Sequence, residues 1–189
     1  MSASLKQIQK ELQASSIPEA KAAALKFVPG AMKVYGIRTP LLNEMAKKYK
    51  TGGFDLVKEL WRSGAFEEKM LAAKMLREVC KKNAELSLNM VKDFSKDVSD
   101  WAVCDTLGMQ SLKPVAKNLQ KEIFDLSAQW LRSKNLWQRR LSLVLIEVFT
   151  KDKTLQPEIL NRAKALEKDE EYYVRKAVEW IKRNLEKGR

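Results

Sequence analysis

Trp101 and Asp105 stand four residues apart in SDWAVCDTLG, residues 99–108. Spacings of three, four and seven place side chains on one helix face. An indole, a carboxylate and Gly108 would therefore share a stripe, leaving Ala102, Val103, Thr106 and Leu107 for packing. Aspartate is a poor interior helix former and is seldom buried without a partner, so its place in this apolar run marks it. In NLWQRRLSLVL, Trp137 and Arg140 share a face; in EYYVRKAVEWIK, Tyr173, Ala177 and Trp180 line up. Neighbouring helices would thus present aromatic rings interleaved with one acid and one base. Arginine with aromatics suits nucleic-acid backbone and sugar. Two plainer readings stand beside these. Each tryptophan can be a core residue, and Asp105 and Arg140 can form a salt bridge between neighbouring repeats.

Other chemistry is narrowed by what the chain lacks. It has no histidine, which removes imidazole bases, histidine triads and histidine metal sites. Cys80 and Cys104 are distant from each other and fall in apolar helical stretches. They do not make a zinc pattern and are expected as two reduced, buried thiols. No glycine-rich phosphate loop is present. No metal and no cofactor is implied, and any chemistry must run on carboxylates, lysines, tyrosines or the substrate itself.

The 189 residues carry 36 basic and 24 acidic side chains, a net charge of +12. That balance suits a polyanionic partner; a lysine-rich solvated surface is the alternative. The excess is uneven. Residues 1–50 hold nine basic and three acidic residues, whereas 51–100 hold nine of each. No apolar run is long enough to cross a bilayer, and MSASLKQIQKELQ has no signal-peptide core. The expectation is one domain spanning 1–189, soluble and cytoplasmic, with no membrane partner.

These side chains must be positioned by helices. The composition is rich in Ala, Leu, Lys and Glu with few Gly and Pro, and no segment alternates with period two. Helix starts are marked by Ser2 or Ser4, by Pro18, and by Thr39 as N-cap with Pro40 at the first turn. Aromatics recur near the starts of the second helix of successive pairs: Phe66, Trp101, Trp137 and Tyr173, separated by 35, 36 and 36 residues. Such spacing predicts an all-α, HEAT-like solenoid whose second helices line one face. An irregular helical bundle also fits four marks.

YGIRTPLL, DWAVCDTLG, NLWQRRLSLVL and YYVRKAVEWIKRNLEK together resemble the DNA alkylation repair family, the AlkD-type DNA glycosylases. The resemblance runs from about KFVPGAMKVYGIRTP to the C-terminus, with the motifs in family order. It implies a HEAT-like repeat enzyme that excises positively charged N3- or N7-alkylated purines from duplex DNA. It assigns the catalytic carboxylate to Asp105, with Trp101 from the same W-x-x-x-D motif against the lesion nucleotide. It gives DNA contacts to Arg140 and Trp137 of W-x-x-R, to Trp180, and to Phe27 where the family often has Tyr. A His–Glu pair of the family has its best match in Glu67 and Lys69, which reads as structural. A monomer is the family expectation, with bacterial-type, nucleoid-associated use. A non-catalytic DNA-binding repeat protein and a protein-interaction solenoid with a basic face remain as alternatives.

Overall fold

The computed structural model describes residues 4–187. Eleven α-helices form among them: α1 (Leu5–Ala14), α2 (Pro18–Phe27), α3 (Thr39–Tyr49), α4 (Gly53–Ser63), α5 (Phe66–Val79), α6 (Ala84–Phe94), α7 (Trp101–Gln110), α8 (Gln120–Trp130), α9 (Leu136–Val144), α10 (Gln156–Ala165) and α11 (Tyr172–Glu186). The described residues contain no strand. Helices α3, α5, α7, α9 and α11 pack each against the next, and α4, α8 and α10 back onto this row. The chain is an all-α helical-repeat solenoid. The periodic aromatics stand where their spacing requires: Phe66 and Trp101 open α5 and α7, while Trp137 and Tyr173 are the second residues of α9 and α11.

Local signals explain most boundaries. Ser4 caps α1 by accepting from the Gln7 amide at 3.3 Å; the alternative cap, Ser2, lies outside the described residues. Pro18 is the first residue of α2, where its missing N–H costs nothing. In α3 the cap falls on Arg38, so Thr39 and Pro40 are both inside the first turn, one residue from the expected register. Helix α9 is short: it ends at Val144, and a 3-10 turn, Glu147–Phe149, follows. The break turns Phe149 in against Phe124 of α8, ring centroids 5.4 Å apart.

The core runs the length of the row. Leu71, Met75 and Leu76 of α5, Val103 and Leu107 of α7, Leu141 of α9 and Ile181 of α11 are fully buried. Each such side chain contributes about 1.5–3 kcal/mol on leaving water. Helix α5 is buried almost all round, against α3, α4 and α7, the environment of a helix without a solvent face. Both cysteines are free and buried. None of the helices among the described residues is long and apolar enough to cross a membrane.

Candidate active site

Helix α7 begins at a firm cap. Asp100, in extended backbone, accepts the Val103 amide at 2.8 Å, which satisfies one orphan donor of the first turn. Trp101 follows at once, and its indole N–H donates to the Phe27 carbonyl at 3.0 Å. That bond fixes the ring between the end of α2 and the start of α7. The segment after Phe27 is held in turn. Gly30 has φ of +93°, and a Cβ there would lie 2.4 Å from the Ser99 carbonyl oxygen, so only glycine lets this backbone cross the residue before Asp100.

Glu67 pins the same segment from α5. It is buried, and its carboxylate accepts the amides of Tyr35 (2.9 Å), Gly36 (2.6 Å) and Ile37 (3.1 Å). Neighbouring Glu68 accepts the Tyr35 hydroxyl at 2.6 Å. Lys69 donates to the Asp97 carbonyl at 2.7 Å. These contacts lock the loop over 28–38 onto the starts of α5 and α7.

Asp105 lies one turn beyond Trp101. Arg140 reaches it from α9 in a fork: Nε donates to Oδ1 and Nη2 to Oδ2, both at 2.8 Å. Arg140 Nη1 also donates to the Tyr173 carbonyl of α11, so one guanidinium joins α7, α9 and α11. The side chains are 8% and 25% exposed for Arg140 and Asp105. The pair is the strong, bidentate kind. Its acid is still reachable: a carboxylate has about four acceptor positions and Arg140 takes two. The remainder belong to an open cleft of about 400 Å³ between α3, α5 and α7, walled by Trp101, Ala102, Asp105, Thr106, Phe66 and Met70 among others.

Adjacent arginines of α9 point different ways. Asn135 caps the helix through the Trp137 amide at 2.8 Å. Arg139 then forks onto Asp169 (2.6 and 3.1 Å), whose Oδ1 also accepts the Glu171 amide before α11. Arg139 thereby sets α11 against α9, and Arg140 sets α9 against α7.

The matching family is described as DNA alkylation repair enzyme, and the match covers residues 8–188. The chain belongs to the DNA alkylation repair enzyme family. Its role is accordingly in the repair of alkylated DNA. Among curated proteins, no relative matches the chain.

Within this member of the DNA alkylation repair enzyme family, some of the expected site residues come together and others do not. Trp101, Asp105, Arg140 and Phe27 come together: the Phe27 carbonyl holds Trp101, and Phe27 is itself 62% exposed. Trp137 packs against Tyr173 in a tilted ring pair, centroids 5.4 Å apart, next to the carbonyl that Arg140 holds. Trp180 is half-buried against the core on α11 and does not wall the Asp105 cleft.

The stripe through Trp101, Asp105 and Gly108 differs from its expected form. Gly108 is buried against α9; a Cβ there would lie 2.7 Å from Val144 Cγ1 and 3.1 Å from Leu141 Cδ2. The cleft face of α7 is instead Trp101, Asp105 and Met109 together with Ala102, Thr106 and Gln110. Thr106 donates to Met70 Sδ at 3.1 Å. Sequence reasoning also passed over Lys74. Its signal is the one that marks Asp105: a charged residue inside an apolar run, MLAAKML.

Proposed function

We propose that the protein is a monofunctional DNA glycosylase that hydrolyses the N-glycosidic bond of N3- and N7-alkylated purines in duplex DNA, on a HEAT-like scaffold. The observation that carries this reading is the Asp105 carboxylate, fixed by the Arg140 fork yet open to a cleft beside a pinned indole. An alkylated purine of this kind is already cationic. It departs without protonation, so the missing histidine is no obstacle. As the C1′–N bond breaks, its electron pair leaves with the base, which becomes neutral. Positive charge then develops on the sugar. A preorganised carboxylate stabilises that charge, and Arg140 keeps it from reorganising. Water adds to C1′, and its proton passes to Asp105 or to solvent. The product is an abasic site.

Trp101 would lie against the lesion nucleotide and add about 0.5–2 kcal/mol of cation–π attraction when water is excluded. Phe27, Trp137 and Trp180 would contact the strand on either side, as the family resemblance implies. Arg140 acts chiefly through Asp105, because its guanidinium is buried and already forked. Other cations of the +12 chain supply the salt-dependent grip on phosphates.

Incubation with methylated duplex DNA tests the reaction. Release of 7-methylguanine or 3-methyladenine, leaving abasic sites, is expected. Duplex binding without release would overturn the enzyme reading.

A further inference from the structure

Lys74 lies in the middle of α5 and is 3% exposed. Its ammonium donates to Asn43 Oδ1 at 2.8 Å and to Gln110 Oε1 at 3.2 Å. Both partners are neutral, and among the described residues Lys74 forms no ion pair. A buried cation without a counter-charge is costly, and most proteins pair it. Burial pushes its pKa down, and nearby Arg77 adds to the shift. An ammonium has three donors; two are engaged, and the third is available.

The surroundings indicate what would use it. Lys74 walls the Asp105 cleft and also a second cleft of about 400 Å³ between α3, α5 and α7. Thr39, Met109 and Gln110 wall both, so the two adjoin. Arg77, Lys113 and Lys47 add positive charge to the second, against Glu78 and Glu147. Asn43 and Gln110 turn their oxygens to the lysine, which leaves their NH2 groups as further donors, and Thr39 brings a hydroxyl. The ligand that matches one buried cation ringed by neutral donors is a singly charged oxyanion with several oxygens.

We propose that Lys74, with Thr39, Asn43 and Gln110, seats one phosphodiester of the DNA strand that presents its lesion sugar to Asp105. It rests on the reading above only in taking duplex DNA as the partner. Phosphates recur along a strand every 3.4 Å of helix axis, so a strand in one cleft carries a phosphate into the next. The contact positions the strand and reads no base. It also supplies the counter-charge that the fold withholds from Lys74.

The test is equilibrium binding of the full chain to a duplex with one tetrahydrofuran abasic-site analogue. A single neutral methylphosphonate is placed in turn at each linkage near that site. The wild-type protein should lose affinity strongly at one linkage, and its log–log salt slope should include that contact. Lys74→Met should be indifferent to that linkage, with a slope smaller by about 0.9. Asn43→Asp keeps the lysine but gives it an internal carboxylate, and should show the same two losses in a stably folded protein. Thermal melting confirms the fold of each variant. The proposal is overturned if both folded variants keep the wild-type slope and linkage profile, or if the wild-type protein is indifferent to every linkage. Base release distinguishes the two failures. Intact release with unchanged variants removes the phosphate seat alone; a linkage effect without release removes the glycosylase reading alone.

Discussion

Replacing Arg140 with methionine removes three hydrogen bonds at once, two to Asp105 and one to the Tyr173 carbonyl. It leaves a carboxylate that is 25% exposed without its cation. Breaking a buried ion pair from one side costs about 3–5 kcal/mol. Water can reach Asp105 from the cleft, so the lower end, about 3 kcal/mol, applies here. In a chain of this length about 1 kcal/mol moves the melting temperature by roughly 2–4 °C, so Arg140→Met should melt about 6–12 °C lower. The freed carboxylate swings, and a misplacement of about 1 Å is worth about 100-fold in rate. Single-turnover excision should fall by about that factor. Duplex affinity should keep its salt slope, because the guanidinium is not on the surface. A double-mutant cycle with Asp105→Asn should show coupling of about 1–3 kcal/mol in stability. The reasoning is refuted by a variant that melts near the wild type while its salt slope drops by about 0.9, the signature of a lost phosphate contact.

Two further outcomes follow from the same frame. Gly108→Ala gains up to about 1 kcal/mol of helix propensity but drives a methyl into Val144 and Leu141, at a cost of about 1–3 kcal/mol. It should be destabilised by up to about 2 kcal/mol in denaturant titrations and should lose excision rate as α9 shifts Arg140; a raised midpoint would contradict the tight crossing. Burial pushes the Asp100 carboxyl above its ordinary range, against the pull of the Val103 and Ala102 amides. A raised folded pKa favours the protonated form, so its contribution to stability is complete below the unfolded value of about 3.9 and is lost as pH rises through the folded one. Asparagine caps equally well without titrating. Asp100→Asn should therefore gain on the wild type between pH 3.5 and pH 7 in thermal melts; a gap that moves the other way would contradict this.

The solenoid was legible because each repeat must bury one helix stripe against the next, and that demand leaves Phe66, Trp101, Trp137 and Tyr173 at near-constant spacing. Asp105 was legible for a similar reason, as a charge in an apolar run. Its exact face was harder to read. Spacing places side chains around their own helix axis, but it does not say which neighbour lies on which side. Gly108 shares a stripe with Asp105 on paper, yet α9 crosses α7 there and covers it. Arg140 allowed two readings from sequence, a phosphate contact or a salt bridge to Asp105, and the approach of α9 to α7 makes the salt bridge. Lys74 carries the same signal as Asp105, but its partners Asn43 and Gln110 stand 31 and 36 residues away, and nothing local links them. Glu67 reads as structural, and its three amide contacts agree with that.

The central claim is that Asp105 carries the excision chemistry. Its direct test is the single-turnover rate of 7-methylguanine release from methylated duplex, comparing the wild type with Asp105→Asn at matched DNA occupancy. Removing a preorganised electrostatic group typically costs about 10²–10³ in rate. The Asn variant should bind duplex DNA as the wild type does and lose at least that much. Equal rates in the two proteins would contradict the account and return Asp105 to a purely structural ion pair.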